Sequence, residues 1–114
     1  MTDPADLSLA EAAAAMAAGS LTARDLTQAA LARISARNDR LHAVTHLNPD
    51  ALAEADRADD MRAAGNGGPL CGIPFLVKDL IDVAGLPATS GSAVLADRIA
   101  PTDADAVAQI GRAH

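Results

Sequence analysis

The sequence predicts an α/β chain in which helices come first and buried strands follow. Two observations support this prediction. Alanine-rich stretches with helix-capping signals occupy the first two-thirds of the 114 residues. From residue 70 to residue 92 the composition shifts to Ile, Val, Leu, Gly and Pro, and residues 73–77 form an unbroken apolar run. Such a run, bounded by Gly72 and Lys78, is typical of a strand that is buried on both faces of a sheet.

Capping signals predict the positions of the first two helices. Ser8 and Glu11 form a capping box, and Gly19 is a typical stop signal, so we predict an alanine-rich helix between them. Thr22 offers the cap of a second helix, which we expect to end near Asn38.

A strand and a third helix are predicted next. Residues 41–47 are partly β-branched and are followed by Asn48 and Pro49, which favours a short strand. Pro49 suits the first turn of a helix that has Asn48 as its cap. The glycine-rich residues 65–69 should form the loop that ends this helix.

The predicted strand at residues 73–77 is followed by a loop and a last helix. Pro74 lies near the start of the strand, where proline is tolerated. The small side chains of residues 88–92 are typical of a loop. Asp103 should begin a helix that runs to Arg112, and the chain halts at His114.

Composition argues against several classes of function. Nine basic residues against fifteen acidic ones give a net charge of −6, so we do not expect nucleic-acid binding. No apolar stretch reaches the roughly 20 residues that a membrane span needs. Asp3, Asp6 and Glu11 precede the apolar residues 12–18, where a secretory signal would carry positive charge. The single cysteine, Cys71, cannot form an internal disulfide, which favours a cytoplasmic protein.

Lys78 is the strongest candidate for a catalytic residue in this sequence. It is the only lysine of the chain, against eight arginines, and it follows the predicted buried strand, where sites on α/β sheets commonly lie. A lysine in a desolvated site can lose its proton and act as a base, whereas an arginine cannot. Two interpretations stay open on this evidence: a catalytic base, or a charged residue that closes an apolar strand and points to water.

Two acidic residues close to Lys78 bear on that choice. Ionised Asp79 and Asp82 would hold Lys78 protonated and so oppose its role as a base. We favour the alternative that both carboxylates bond to backbone amides of the following turn, which is the usual role of aspartate in loops.

The remaining polar candidates predict little chemistry. His42 and His46 are four residues apart, but in a strand they would lie roughly 13 Å apart, too far for one zinc ion. Cys71 has no nearby histidine or aspartate in the sequence and is expected to be a semi-buried thiol. Ser90 and Ser92 are expected to make hydrogen bonds within their turn. No metal site and no cofactor site are predicted.

Residues 68–87 read GPLCGIPFLVKDLIDVAGLP. This block resembles the amidase signature family, which includes amidases and the A-type subunits of amidotransferases. Its members typically read G-P-L-x-G-I-P, then a short apolar run, K-D, x-I-D and G-x-P-T-T. Residues 88–92 match the small loop that follows, and residues 21–26 and 101–107 resemble two helix starts of the family.

The resemblance implies a mixed β-sheet wrapped by helices and hydrolysis of C–N amide bonds by a serine, a second serine in a cis peptide, and a lysine. Lys78 matches the lysine, which accepts the proton that passes through the second serine. The family's Gly/Ser-rich segment, which carries both serines, lies downstream of the last residue of this chain. We therefore expect a truncated fragment that is inactive alone.

The resemblance also predicts how the chain is organised. Residues 1–114 would be the N-terminal part of one amidase-signature domain, with a helical lead-in (1–68), a strand and loop block that carries the lysine (69–100) and a truncated helix (101–114). The strands would be the first of an incomplete sheet. The expected partners are a small-molecule amide in the complete enzyme and either a complementing chain or a second copy. The alternatives are half of a split amidase or a small acidic helical protein that binds a partner.

Overall fold

The computed structural model describes residues 3–113, which contain helices but no β-strand. This part of the chain divides into two compact units, residues 3–74 and residues 75–113. None of its helices combines the length and the apolar character that a membrane span requires. The first unit contains α1 (Leu9–Ala17), α2 (Ala23–Leu41), α3 (Ala51–Ala63) and a 3₁₀ turn at Pro4–Asp6; the second contains α4 (Asp105–Ala113) and a 3₁₀ turn at Ala93–Leu95.

Side chains cap the first two helices as predicted. The Ser8 hydroxyl accepts a hydrogen bond from the Glu11 amide at 3.1 Å, and the Glu11 carboxylate accepts one from the Ser8 amide at 2.9 Å. The Thr22 hydroxyl accepts a hydrogen bond from the Asp25 amide at 3.0 Å. Gly19 follows the end of α1 with a φ of +78°, a left-handed conformation that suits glycine.

The predicted strand at residues 41–47 is wrong. α2 continues past Asn38 to Leu41, and His42 closes it in a left-handed conformation. The Asn38 side chain then donates to the Val44 carbonyl at 2.8 Å and accepts from the Val44 amide at 2.9 Å. Because the Val44 amide donates to this side chain, it is not available to donate to a sheet ladder.

The third helix forms, but its cap differs from the predicted one. Asp50, rather than Asn48, is the first flanking residue of α3, and its side chain makes no capping bond. The Asn48 side chain instead accepts a hydrogen bond from the Asp50 amide at 3.0 Å and donates one to Glu54 at 2.9 Å. Asn48 thus organises the turn that precedes the helix, in the manner usual for asparagine in turns.

Small side chains form most of the core of the first unit. Alanine supplies 29 of the 114 residues of the chain, and it lets helices approach closely while burying little area itself. α2 packs against α3 and against the Pro4–Asp6 turn. Arg33 of α2 also forms ion pairs with Asp3 and Asp6. The buried cluster consists of Ala12, Met16, Ala23, Leu26 and Ala55.

A carboxylate from α3 closes the start of α2. Asp59 accepts hydrogen bonds from the backbone amides of Ala23 at 2.7 Å and Arg24 at 3.1 Å. These amides belong to the first turn of α2, whose N–H groups have no partner within the helix. In addition, a guanidinium nitrogen of Arg24 on α2 lies 2.6 Å from a carboxylate oxygen of Asp56 on α3, which forms an ion pair. The two helices are therefore joined by hydrogen bonds as well as by packing.

The predicted strand at residues 73–77 is also wrong as a buried strand. The segment forms no strand, and Phe75 is 46% exposed and Leu76 is 74% exposed. A strand buried on both faces needs neighbouring strands to cover it. Among residues 75–113, the only ladder-type pairing is an isolated antiparallel bridge between Pro87 and Ile99. Within residues 3–113, this segment is therefore an irregular, partly exposed apolar stretch.

The last helix begins two residues later than predicted. α4 starts at Asp105, because the Asp103 side chain accepts a hydrogen bond from the Ala84 amide at 2.8 Å. The amide of Ala104 donates to the Asp82 carbonyl at 2.9 Å. These two bonds tie the start of α4 to the segment that follows Lys78. His114, where the chain halts, lies outside the described residues.

Gly72→Ala should destabilise the chain more than Gly65→Ala. Both glycines have positive φ, +89° and +78°, so either alanine would incur a left-handed cost of about 1–2 kcal/mol. At Gly72 the new Cβ would also lie 2.8 Å from the Ala23 Cβ, whereas at Gly65 nothing lies within 4 Å. Overpacking typically adds about 1–3 kcal/mol. Urea unfolding followed by circular dichroism measures both losses, and equal losses would contradict close packing at Gly72.

Asp59→Ala should lower the free energy of unfolding by about 1–2 kcal/mol, the usual cost of losing a helix cap. Asp60→Ala provides the matched control, because Asp60 is an exposed neighbour on the same helix. The control should change stability by less than about 0.5 kcal/mol. The same urea titration compares the two variants, and a loss at Asp59 no larger than that at Asp60 would rule out a stabilising cap.

Candidate active site around Lys78

Lys78 lies where the apolar segment 73–77 ends and a turn begins. Its backbone carbonyl accepts a hydrogen bond from the Ile81 amide at 2.9 Å, which closes the turn. Its side chain is exposed on the second unit. The sequence predicts that Lys78 follows a buried strand, but residues 73–77 form no strand in residues 3–113, so Lys78 follows an irregular apolar segment instead.

Asp79 binds the loop at residues 88–92. One carboxylate oxygen accepts a hydrogen bond from the Thr89 amide at 3.0 Å. The other accepts a short hydrogen bond from the Thr89 hydroxyl and a longer one, 3.3 Å, from the Gly91 amide. The prediction that this carboxylate bonds to backbone amides is confirmed. Its partners lie in a loop ten residues further along, however, and not in the following turn.

Asp82 forms a two-pronged ion pair with Arg98. The two guanidinium nitrogens donate to the two carboxylate oxygens at 2.7 and 2.9 Å. Hydrogen bonds from Arg98 lower the pKa of Asp82 below its ordinary value, against the opposing effect of partial desolvation. The same contact raises the pKa of Arg98. The predicted amide-bonding role of Asp82 is therefore wrong, because a guanidinium matches both carboxylate oxygens at once.

Both carboxylates that follow Lys78 are thus engaged with other groups. Asp79 is bonded to Thr89 and Gly91, and Asp82 to Arg98. A carboxylate that accepts several hydrogen bonds has its charge stabilised by those donors. The guanidinium of Arg98 offsets the negative charge of Asp82, whereas Thr89 and Gly91, which donate to Asp79, are uncharged. Sequence patterns do not reveal Arg98 or Thr89 as partners, because sixteen and ten residues separate them from the aspartates.

The loop that Asp79 holds has an unusual backbone. Ser90 and Gly91 are both left-handed, with φ of +53° and +69°, and Thr89 is buried. Ser92 accepts a hydrogen bond from the Val94 amide at 3.3 Å, as expected for a turn hydroxyl. The Ser90 amide donates to the Asp79 carbonyl at 3.3 Å. Both the side chain and the backbone of Asp79 therefore contact this loop.

The other polar candidates lie in the first unit. His42 and His46 are exposed on the segment that follows α2. Cys71 is a buried free thiol whose sulfur lies 3.7 Å from the Ala58 carbonyl oxygen. Within residues 3–113, no group of three or more His, Cys, Asp or Glu side chains could hold a metal ion.

Comparison with known proteins identifies close relatives. A family model described as Amidase matches residues 25–113. The chain is 45% identical over 112 residues to the A-type subunit of glutamyl-tRNA(Gln) amidotransferase from Chloroflexus aurantiacus, a match that covers 96% of this chain and 23% of that protein. The native peptide amidase of Stenotrophomonas maltophilia has a TM-score of 0.89 at 43% identity, over 96% of this chain and 23% of its own. An amidase family protein from Bacillus anthracis has a TM-score of 0.86 at 33% identity, over 94% and 22%.

The chain therefore spans less than a quarter of the length of these relatives. The matched residues 25–113 nevertheless include Lys78, both neighbouring aspartates and the loop that Asp79 holds.

The Asp82 carboxyl should titrate below the ordinary range of an aspartate, and Arg98→Ala should raise its midpoint. Because the pKa is lowered in the folded chain, this pair stabilises the fold above the unfolded-state pKa of Asp82 and stops doing so as the pH falls through the folded-state value. NMR of the carboxyl carbon against pH measures the midpoint. Arg98→Lys, which keeps the charge but loses the paired geometry, should give an intermediate value, and an unchanged midpoint in Arg98→Ala would contradict the assignment.

Proposed function

Because this chain belongs to the Amidase family, we propose that it supplies the lysine-bearing part of an enzyme that hydrolyses the C–N bond of an amide. The observation that best supports the proposal is the family match itself, since residues 25–113 include the Lys78–Asp79 pair and its surroundings. The identities of 43% and 45% to an enzyme named peptide amidase and to part of an amidotransferase point to the same class of reaction.

In this proposal Lys78 is the general base. A neutral amine accepts the proton that a nucleophilic serine releases, relayed through a second serine, as the resemblance to the amidase signature family implies. An arginine could not serve, because it does not release its proton at usable pH. The exposed position of Lys78 on the second unit leaves its amine available to groups supplied by the rest of an amidase fold.

The apolar segment at residues 75–77 becomes a sheet strand in the same proposal. Its large apolar side chains Phe75 and Leu76 are 46% and 74% exposed. Packing within a mixed sheet would cover these side chains. Residues 1–114 would then form the N-terminal part of one amidase domain.

The remaining part of that domain would come from continuous sequence or from a complementing chain. The matched relative from Chloroflexus aurantiacus is itself named as one subunit of an amidotransferase. Amide substrate would bind only at the complete site. A reducing cytoplasm suits this protein, because Cys71 is a free thiol.

A second candidate function rests on the exposed apolar side chains. Leu76 and Val94 are 74% and 92% exposed, and such surface favours association with another protein. A small acidic partner-binding protein would use this surface without any chemistry at Lys78. The two functions therefore differ in whether Lys78 is needed.

Lys78→Arg should remove activity from a hybrid in which this chain replaces the matching segment of the Stenotrophomonas maltophilia peptide amidase. Ammonia release from an amide substrate of the parent enzyme measures kcat. We expect Lys78→Arg and Lys78→Ala to lower kcat by roughly 10²–10⁴-fold, the usual contribution of a general base.

The matched control for this experiment is Arg57→Lys, a change between the same two cations on the exposed face of α3. It should leave kcat within about twofold, as expected of a conservative change at an exposed residue. Near-normal kcat in Lys78→Arg would show that Lys78 is only a surface charge, and the proposed function would then be wrong.

A further inference from the structure

Asp79 connects the residue after Lys78 to a loop ten residues away. Its carboxylate accepts hydrogen bonds from the Thr89 amide, the Thr89 hydroxyl and the Gly91 amide, and its carbonyl accepts one from the Ser90 amide. Thr89 is 7% exposed, so this contact is largely shielded from water. Hydrogen bonds to an ionised acceptor are stronger than those between neutral groups.

The loop depends on that carboxylate for its conformation. Ser90 has a φ of +53°, which is unfavourable for a residue with a Cβ and persists only where other contacts fix it. The Thr89 hydroxyl also accepts a hydrogen bond from the Gly91 amide at 3.3 Å, so one side chain contacts both the carboxylate and the loop backbone. Asp79 and Thr89 therefore stabilise residues 89–91 together.

The hydrogen bonds between Asp79 and residues 89–91 also affect the position of Lys78. An exposed lysine has a long flexible side chain, so the position of its backbone determines which groups its amine can contact. The backbone of Lys78 is joined on one side to residue 79, which the loop holds at both its carboxylate and its carbonyl. General-base catalysis requires the amine to lie within hydrogen-bond reach of the group it deprotonates.

From these contacts we infer that Asp79 and Thr89 are positioning residues that fix the backbone of Lys78 for proton transfer. Neither residue touches the reacting atoms in this mechanism. Their effect passes through the placement of Lys78. The effect of this positioning on catalysis rests on the proposed function. The restraint on the Lys78 backbone does not, because it concerns the 114-residue chain alone.

The first experiment uses the chain as it is. Because Lys78 is the only lysine, labelling with ¹⁵N-lysine gives a single backbone amide signal from that residue. Relaxation of this signal should report a rigid amide, with an order parameter of about 0.85, in the unmodified chain and in Thr89→Ser. Thr89→Val, which keeps the shape of the side chain but removes the hydroxyl, should lower the order parameter below about 0.6.

Thr45→Val is the control, since Thr45 is an exposed threonine in the first unit. It should leave the Lys78 signal unchanged. An identical order parameter in Thr89→Val and the unmodified chain, with the helical circular dichroism preserved, would overturn the inference. Asp79→Asn offers a second variant that keeps the side-chain size, and it should loosen Lys78 in the same way.

The second experiment measures kcat and KM in the peptide amidase hybrid. Thr89→Val should lower kcat by roughly 10- to 100-fold with KM changed less than about twofold, because the base is misplaced while substrate binding is not. Thr89→Ser should restore kcat to within about twofold of the unmodified hybrid. If Lys78→Arg abolishes activity but Thr89→Val does not reduce it, the positioning role is wrong and the proposed function stands. If Lys78→Arg stays active, the proposed function fails, and the NMR result still decides whether Asp79 and Thr89 hold Lys78.

Discussion

The arrangement of the first unit depends on one carboxylate, that of Asp59. Asp59 lies on α3 and accepts hydrogen bonds from the backbone amides of Ala23 and Arg24. These amides belong to the first turn of α2, a 19-residue helix, and have no partner within it. This matters more here than in a protein with larger core residues, because the buried cluster is mostly alanine. Alanine buries little apolar area, so packing alone stabilises the helix pair weakly. The direction of these two amide bonds also determines where α2 can begin relative to α3.

The second unit uses the same kind of contact. The side chains of Asp79 and Asp103 accept hydrogen bonds from backbone amides, and Asp82 pairs with the guanidinium of Arg98. Three of the fifteen acidic residues of the chain therefore stabilise the second unit, two through backbone amides and one through an ion pair. The acidic composition that argues against nucleic-acid binding thus has a structural role as well. In both units, aspartates stabilise backbone that large apolar side chains do not cover.

The sequence predicts local features of this fold well and distant ones poorly. The capping box of Ser8 and Glu11 can be identified because its partners are three residues apart. The Asp82–Arg98 pair cannot, because no local pattern joins residues sixteen apart. An apolar run such as residues 73–77 predicts a buried strand, but it carries no information about whether neighbouring strands are present. The loop at residues 88–92 is predictable from its small side chains, while its hydrogen bonds to Asp79 are not, because ten residues separate Thr89 from Asp79.

The exposed apolar side chains of the second unit have a thermodynamic consequence. Unfolding raises the heat capacity mainly in proportion to the apolar surface that becomes exposed. Leu76 and Val94 are already largely in water in the folded chain, Phe75 is 46% exposed, and the buried apolar residues of this unit are few: Ala88, Ala100 and Val107. The heat-capacity increment of residues 75–113 should therefore lie below the usual value of about 12–15 cal/mol/K per residue. The stability of this unit would then vary with temperature along a flatter curve, and cold would weaken it less than it weakens a protein with a large apolar core.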